Sequence, residues 1–134
     1  EFFEIDLASI RASLAASRNS TVQHLVYVSV AHPAPVMQSY IAVRAEGEKM
    51  IRESGMNATI LRPWYVLGPG RRWPLVLKPM YWLMERFPAT RESAKRLGLV
   101  TIEQMVGTLV RCVENPAQGV RILGVQIISG ITIS

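Results

Sequence analysis

Tyr40 and Arg44 stand four residues apart in a segment of helical periodicity, so a titratable phenol and a guanidinium lie one turn apart on one line. Arginine stays charged at every relevant pH, and a cation beside a phenol favours the phenolate. For a phenol to act as a base near neutrality its pKa must fall by roughly 3 units, or about 4 kcal/mol of preferential phenolate stabilisation. An exposed cation supplies about 1 kcal/mol at most. Such chemistry therefore needs a secluded setting and a second positive charge. Without them the pair is ordinary helix surface, a solvated tyrosine beside a cation.

The elements that would position this pair are readable on either side. Gln38 or Ser39 opens a helix running to about Ser54, and Gly55 suits the C′ position, where φ is positive. Gly47 inside that helix costs roughly 1 kcal/mol relative to alanine, which suggests close packing unless it is incidental. Before the helix, residues 24–30 (HLVYVSV) form an apolar run too continuous for a half-exposed strand, and after it residues 58–61 (ATIL) form a second. A strand, helix and strand of these lengths predict a right-handed parallel crossover. Pro33 and Pro35 stop the first strand, placing Ser29 at its C-terminal end, where open α/β sheets bind ligands. Ser29 is otherwise a strand terminator or turn cap. Residues 62–70 (RPWYVLGPG) leave the second strand in a glycine-proline loop.

These features together resemble the C-terminal half of an NAD(P)-binding short-chain dehydrogenase/reductase of the extended or atypical kind, epimerase-like or NmrA-like. The resemblance rests on Ser29 closing a strand, Tyr40 opening a Tyr-x-x-x-Lys-type helix, Gly47-Glu48, and the run from Arg62 to Gly70, in the family's order and at similar spacing. It spans roughly residues 5–129. It implies a Rossmann-like, doubly wound parallel sheet in a three-layer α/β/α domain, of which residues 1–134 are a single partial unit. It implies NAD or NADP as cofactor and a small-molecule substrate. Tyr40 would be the acid/base, Arg44 its electrostatic and ribose partner, and Ser29 a pocket hydroxyl, with Pro63, Trp64 and Val66 walling the nicotinamide.

Two departures matter. Arg44 occupies the family's lysine position, and a planar guanidinium does not replace a compact ammonium conservatively. This leaves two functions open: an oxidoreductase or epimerase, or a redox-inert NAD(P)-sensing regulatory or assembly protein of the NmrA-like type. Further, none of the nine glycines forms the glycine-rich turn that holds a pyrophosphate at a helix N-terminus. The phosphate-binding half is expected ahead of this chain, and its lack would leave a central strand with a bare edge.

The remaining sequence is consistent with part of one α/β domain. Asp6 is expected to cap a first helix whose Leu7, Ile10 and Leu14 face a sheet, and residues 97–101 read as a short extended piece. Thr101 is expected to cap a helix over residues 102–114 with Met105, Val106, Leu109, Val110 and Val113 as its apolar face. Residues 120–128 have strand character broken by Gly124. The run 75–84 is too short and broken to cross a membrane, which takes roughly 20 apolar residues, and reads as a pocket wall, a homo-oligomer contact or a core helix.

A net charge of +5 is carried by scattered arginines without a nucleic-acid motif, so phosphate groups of a cofactor or an anionic substrate are the expected partners, not nucleic acid. One cysteine and two histidines exclude a disulfide framework and offer no metal-ligand spacing. Cys112 reads as structural or surface. Residues 1–4 carry neither a basic nor an apolar leader pattern, so a reduced, cytoplasmic protein, cut from a longer parent, is the expectation.

Overall fold

A computed structural model describes residues 2–68 and 97–130, together with Pro79, Trp82 and Arg86. Gly70, Arg71-Arg72, most of the run 75–84, the basic connector 91–96 and the tail 131–134 lie outside the described residues. Among the described residues nine elements follow in order: α1 (Phe2–Arg18), β1 (Leu25–Val28), α2 (Gln38–Glu53), β2 (Ala58–Arg62), β3 (Tyr65–Leu67), β4 (Leu99–Thr101), α3 (Ile102–Glu114), β5 (Val120–Gly124) and α4 (Val125–Ser129).

The fold is α/β with a small parallel sheet in the order β1-β2-β5, and β3 and β4 form a separate parallel pair. Leu25 pairs with Ala58 and Val28 with Leu61, while Ala58 pairs with Val120 and Arg62 with Gly124. The expected β1-α2-β2 crossover is present, and β2 lies at its centre with Ala58, Thr59, Ile60 and Leu61 all buried. Successive β2 side chains alternate between faces. Ala58 joins Ile10, Leu14 and Ile51 beneath α1 and α2, whereas Leu61 joins Val100, Met105, Cys112 and Ile128 beneath α3 and α4.

Several local expectations need correction. Asp6 lies inside α1, which starts at Phe2, rather than capping it. β1 is shorter than its apolar run and only half-buried, because among the described residues it sits at the edge of the sheet with one neighbour. Residues after Gly124 turn helical as α4 instead of continuing the strand. The buried face of α3 is Met105, Thr108 and Cys112, whereas Val106, Val110 and Val113 are exposed. Thr101 does cap α3, in a reciprocal pair: its hydroxyl accepts from the Gln104 amide at 3.2 Å and the Gln104 side chain accepts from its amide at 2.9 Å. No helix among the described residues is long and apolar enough to cross a membrane.

The α1–α2 contact depends on Gly47. A Cβ there would stand 2.6 Å from Ile10 Cδ1 and 2.7 Å from the Tyr27 hydroxyl. Gly47→Ala gains about 1 kcal/mol of helix propensity but meets an overpacking cost of about 1–3 kcal/mol. Net destabilisation of about 1 kcal/mol in urea unfolding is the expected outcome; a stabilised variant would mean that α1 does not seat on α2 as described.

Candidate functional site

Ser29 follows β1 and Pro63 follows β2, so both fall at the C-terminal edge of the parallel sheet. Two backbone bonds carry the pairing past the strands: the Ser29 amide donates to the Leu61 carbonyl at 2.7 Å and the Ala31 amide to the Pro63 carbonyl at 2.9 Å. The start of α2 comes up beside them. Between these three segments lies a cleft of about 300 Å³. Five of the six expected site residues line it: Ser29, Tyr40, Pro63, Trp64 and Val66. Arg44 is not among them.

Arg44 instead turns back over the helix. Its Nε donates to the Tyr40 hydroxyl oxygen at 3.1 Å and another guanidinium nitrogen donates to the Tyr27 hydroxyl at 3.3 Å, while a third contact reaches Asp6 on α1 at 3.6 Å. The guanidinium carbon lies 5.1 Å from the Tyr40 ring centre and 5.8 Å from that of Tyr27. Burial works against the Arg44 charge, but the two phenols accepting from it prevail and raise its pKa. Tyr27 moves up because its burial outweighs the Arg44 contact. The i, i+4 pair expected from sequence is thus formed, with the cation shared among three partners. Since the Tyr40 oxygen accepts from Arg44, its own O–H can point elsewhere.

Glu48, one further turn along α2, holds the site together. Its side chain is 1% exposed. Arg62 grips it with both ends of its fork, Nε to Oε1 at 2.9 Å and a terminal nitrogen to Oε2 at 2.5 Å. Arg52 donates to Oε2 at 2.9 Å, His32 Nε2 lies 3.3 Å from Oε1, and the Ser29 hydroxyl donates to Oε1 at 2.6 Å. Burial alone would raise this carboxyl; the hydrogen bonds from Arg62 and Ser29 and the charges of Arg62 and His32 outweigh it and hold the pKa at about 2. Glu48 is therefore ionised and can only accept. The Ser29 hydroxyl must then spend its proton on Glu48, which leaves its lone pairs, not a donor, for anything in the cleft. Tyr40 then stands as a proton donor at the cleft wall, with the Tyr65 phenol also lining it.

Met37, Val28 and Val30 also line the cleft and were not singled out from sequence. Met37 is 53% exposed and holds φ at +56°, a left-handed backbone that costs a non-glycine residue of order 1–3 kcal/mol. No sequence signal marks it, because methionine is not a residue that turns select. Glu48 had a signal: a charged residue closing a buried strand, as Arg62 does, requires an opposite charge within reach. Among the described residues no group of three His, Cys, Asp or Glu side chains is placed to hold a metal. No family model matches this sequence, and comparison with curated proteins gives no significant match.

The depressed Glu48 carboxyl sets a pH dependence. Its folded pKa of about 2 lies below the ordinary 4.5, so its stabilisation is complete above the unfolded value and is lost as pH falls from about 4.5 toward 2. The difference corresponds to about 3 kcal/mol. Glu48→Gln is expected to lose about 3 kcal/mol at pH 7, leaving Arg62 without its carboxylate, and to flatten the acid limb of stability against pH. Equilibrium unfolding at a series of pH values checks both; an unchanged acid limb in the variant would remove Glu48 from this role.

Proposed function

We propose that this chain is the nicotinamide-side part of an NAD(P)-binding, Rossmann-like α/β/α domain with a doubly wound parallel sheet, related to atypical or epimerase-like short-chain dehydrogenase/reductases. The observation that carries the reading is the cleft at the C-terminal ends of β1 and β2, into which Ser29, Tyr40, Pro63, Trp64 and Val66 converge. Parallel α/β sheets place ligands there. The residues present fit a nicotinamide: the walls are apolar and aromatic, and Tyr40 offers one proton-bearing group. They do not fit a whole dinucleotide, since no glycine-rich turn occurs in the sequence to hold its pyrophosphate. That half of the cofactor would be held by residues ahead of this chain, and a cytoplasmic setting belongs to the same proposal.

When bound, NAD or NADP supplies or accepts hydride. The chain's own contribution is proton transfer and shape. Tyr40 donates its phenolic proton to an oxygen in the cleft, or takes one back in the reverse direction. Arg44 donates to that phenol oxygen and so orients it. Trp64 and Val66 help enclose the reacting atoms. Ser29 positions rather than protonates, because its hydrogen is held by Glu48.

A second reading has an observation of its own. Arg44, in the family's lysine position, faces Tyr27 and Asp6 as well as Tyr40 and does not line the cleft, which favours a redox-inert NAD(P)-binding regulator. NADH and NADPH oxidation with carbonyl and sugar-nucleotide substrates, assayed on the chain extended toward its N-terminus, separates the two. The enzyme reading predicts turnover that falls about 100-fold or more in Tyr40→Phe with cofactor affinity unchanged. Cofactor binding without turnover, and turnover appearing in Arg44→Lys, would support the regulator. No binding of either dinucleotide would overturn both.

A further inference from the structure

The cleft differs from its surroundings in charge. The chain carries 15 Lys and Arg residues, yet among the described residues none that lines the cleft is charged. Three described cations of the neighbouring elements are committed elsewhere: Arg62 and Arg52 to Glu48, and Arg44 to Tyr40, Tyr27 and Asp6. Its walls are Val28, Val30, Met37, Pro63, Trp64, Tyr65 and Val66. The edge of a Trp64–Tyr65 ring pair, with centres 5.5 Å apart at 71°, stiffens one side. Two of the lining residues are themselves exposed, Val28 by 40% and Met37 by 53%. Met37 is held there by a strained backbone, an expense that a solvent-facing side chain does not require.

A phosphate or carboxylate entering this space would lose its hydration and meet no opposite charge among the described residues that line it, a cost of several kcal/mol. A flat apolar ring would instead exchange water for aromatic and aliphatic walls. From this we infer that the cleft selects an uncharged, apolar carbonyl compound, of the aryl ketone or aryl aldehyde class, with its carbonyl oxygen on the Tyr40 hydroxyl, and rejects carboxylates and sugar nucleotides. This deepens the reading above and rests on it for the identity of the reacting group. The polar end of the ligand is assigned to the Tyr40 hydroxyl, because Tyr40 stands at the start of α2 beside the strand ends and the Ser29 proton lies on Glu48. Met37 and Trp64 are its specificity-determining walls.

The test uses binding, not turnover. Acetophenone, ethylbenzene, benzoate and UDP-glucose are titrated into the chain with tryptophan fluorescence as the readout, and Trp64→Phe identifies the responding indole. Acetophenone is expected to bind about tenfold tighter than ethylbenzene, a margin that one hydrogen bond supplies, and to lose it in Tyr40→Phe. Benzoate and UDP-glucose are expected not to saturate. Met37→Lys, at an exposed position, is expected to bring in benzoate and weaken acetophenone; its unfolding curve confirms that the fold is intact. Benzoate or UDP-glucose binding as well as acetophenone, no saturation by acetophenone, or a ketone preference that survives Tyr40→Phe would each overturn the inference. Dinucleotide binding by the extended chain without ketone binding would leave the proposed function standing and sink this inference alone, and the converse result would do the reverse.

Discussion

The buried carboxylate of Glu48 is the constraint on which the site depends. It sits on α2, 1% exposed, and is reached by Arg62 from the end of β2, by Ser29 from the end of β1, by His32 from the loop between, and by Arg52 from its own helix. An ionised group in such a place is tolerated only when its hydrogen bonds are satisfied, and these four residues satisfy it. Three segments, the end of β1 with its loop, α2 and the end of β2, are thereby fixed to one point. The cleft above them exists because the start of α2 cannot move away from the strand ends while this carboxylate is paired. Packing alone would leave α2 freer to slide along the sheet; the bidentate Arg62 contact adds direction to it.

Arginine at position 44 shows how one substitution divides a role. Its charge reaches Tyr40, as a residue one turn away must, but its fork has enough donors to hold Tyr27 and Asp6 as well. The guanidinium therefore ties α1, β1 and α2 together on the side away from the cleft. What a compact ammonium could offer a ligand, this group offers to the fold. The contrast with Ser29 is instructive, because there too a hydroxyl that sequence places at the site has its proton drawn into the structure. What the cleft itself presents is the Tyr40 and Tyr65 phenols and the shape of the walls.

The sequence displayed the parts of this fold that are local. Helix α2 was legible from its periodicity and from Gly55, which does hold φ at +74°, and α3 from Thr101 as its cap, though not from the reciprocal part that Gln104 plays. The central strand was legible because an apolar run of that length has nowhere else to go. The pairing of β3 with β4 was not, since three-residue strands that meet across more than thirty positions carry no periodic signal. The exposed stripe on α3 misled for a related reason: periodicity identifies an apolar face but not whether the described fold covers it. Of the site, Ser29, Tyr40, Pro63, Trp64 and Val66 were named from sequence and do meet at one cleft, whereas the directions taken by Arg44 and by the Ser29 proton are decided by tertiary partners.

The most direct measurement is a titration with nicotinamide mononucleotide, which carries the reacting ring without the adenylate half, followed by amide and indole NMR shifts of the isolated chain. Shifts that saturate and are confined to Ser29, Tyr40, Trp64, Val66 and their neighbours are what the account predicts. Saturating shifts elsewhere, or none at these residues in a folded chain, would contradict it.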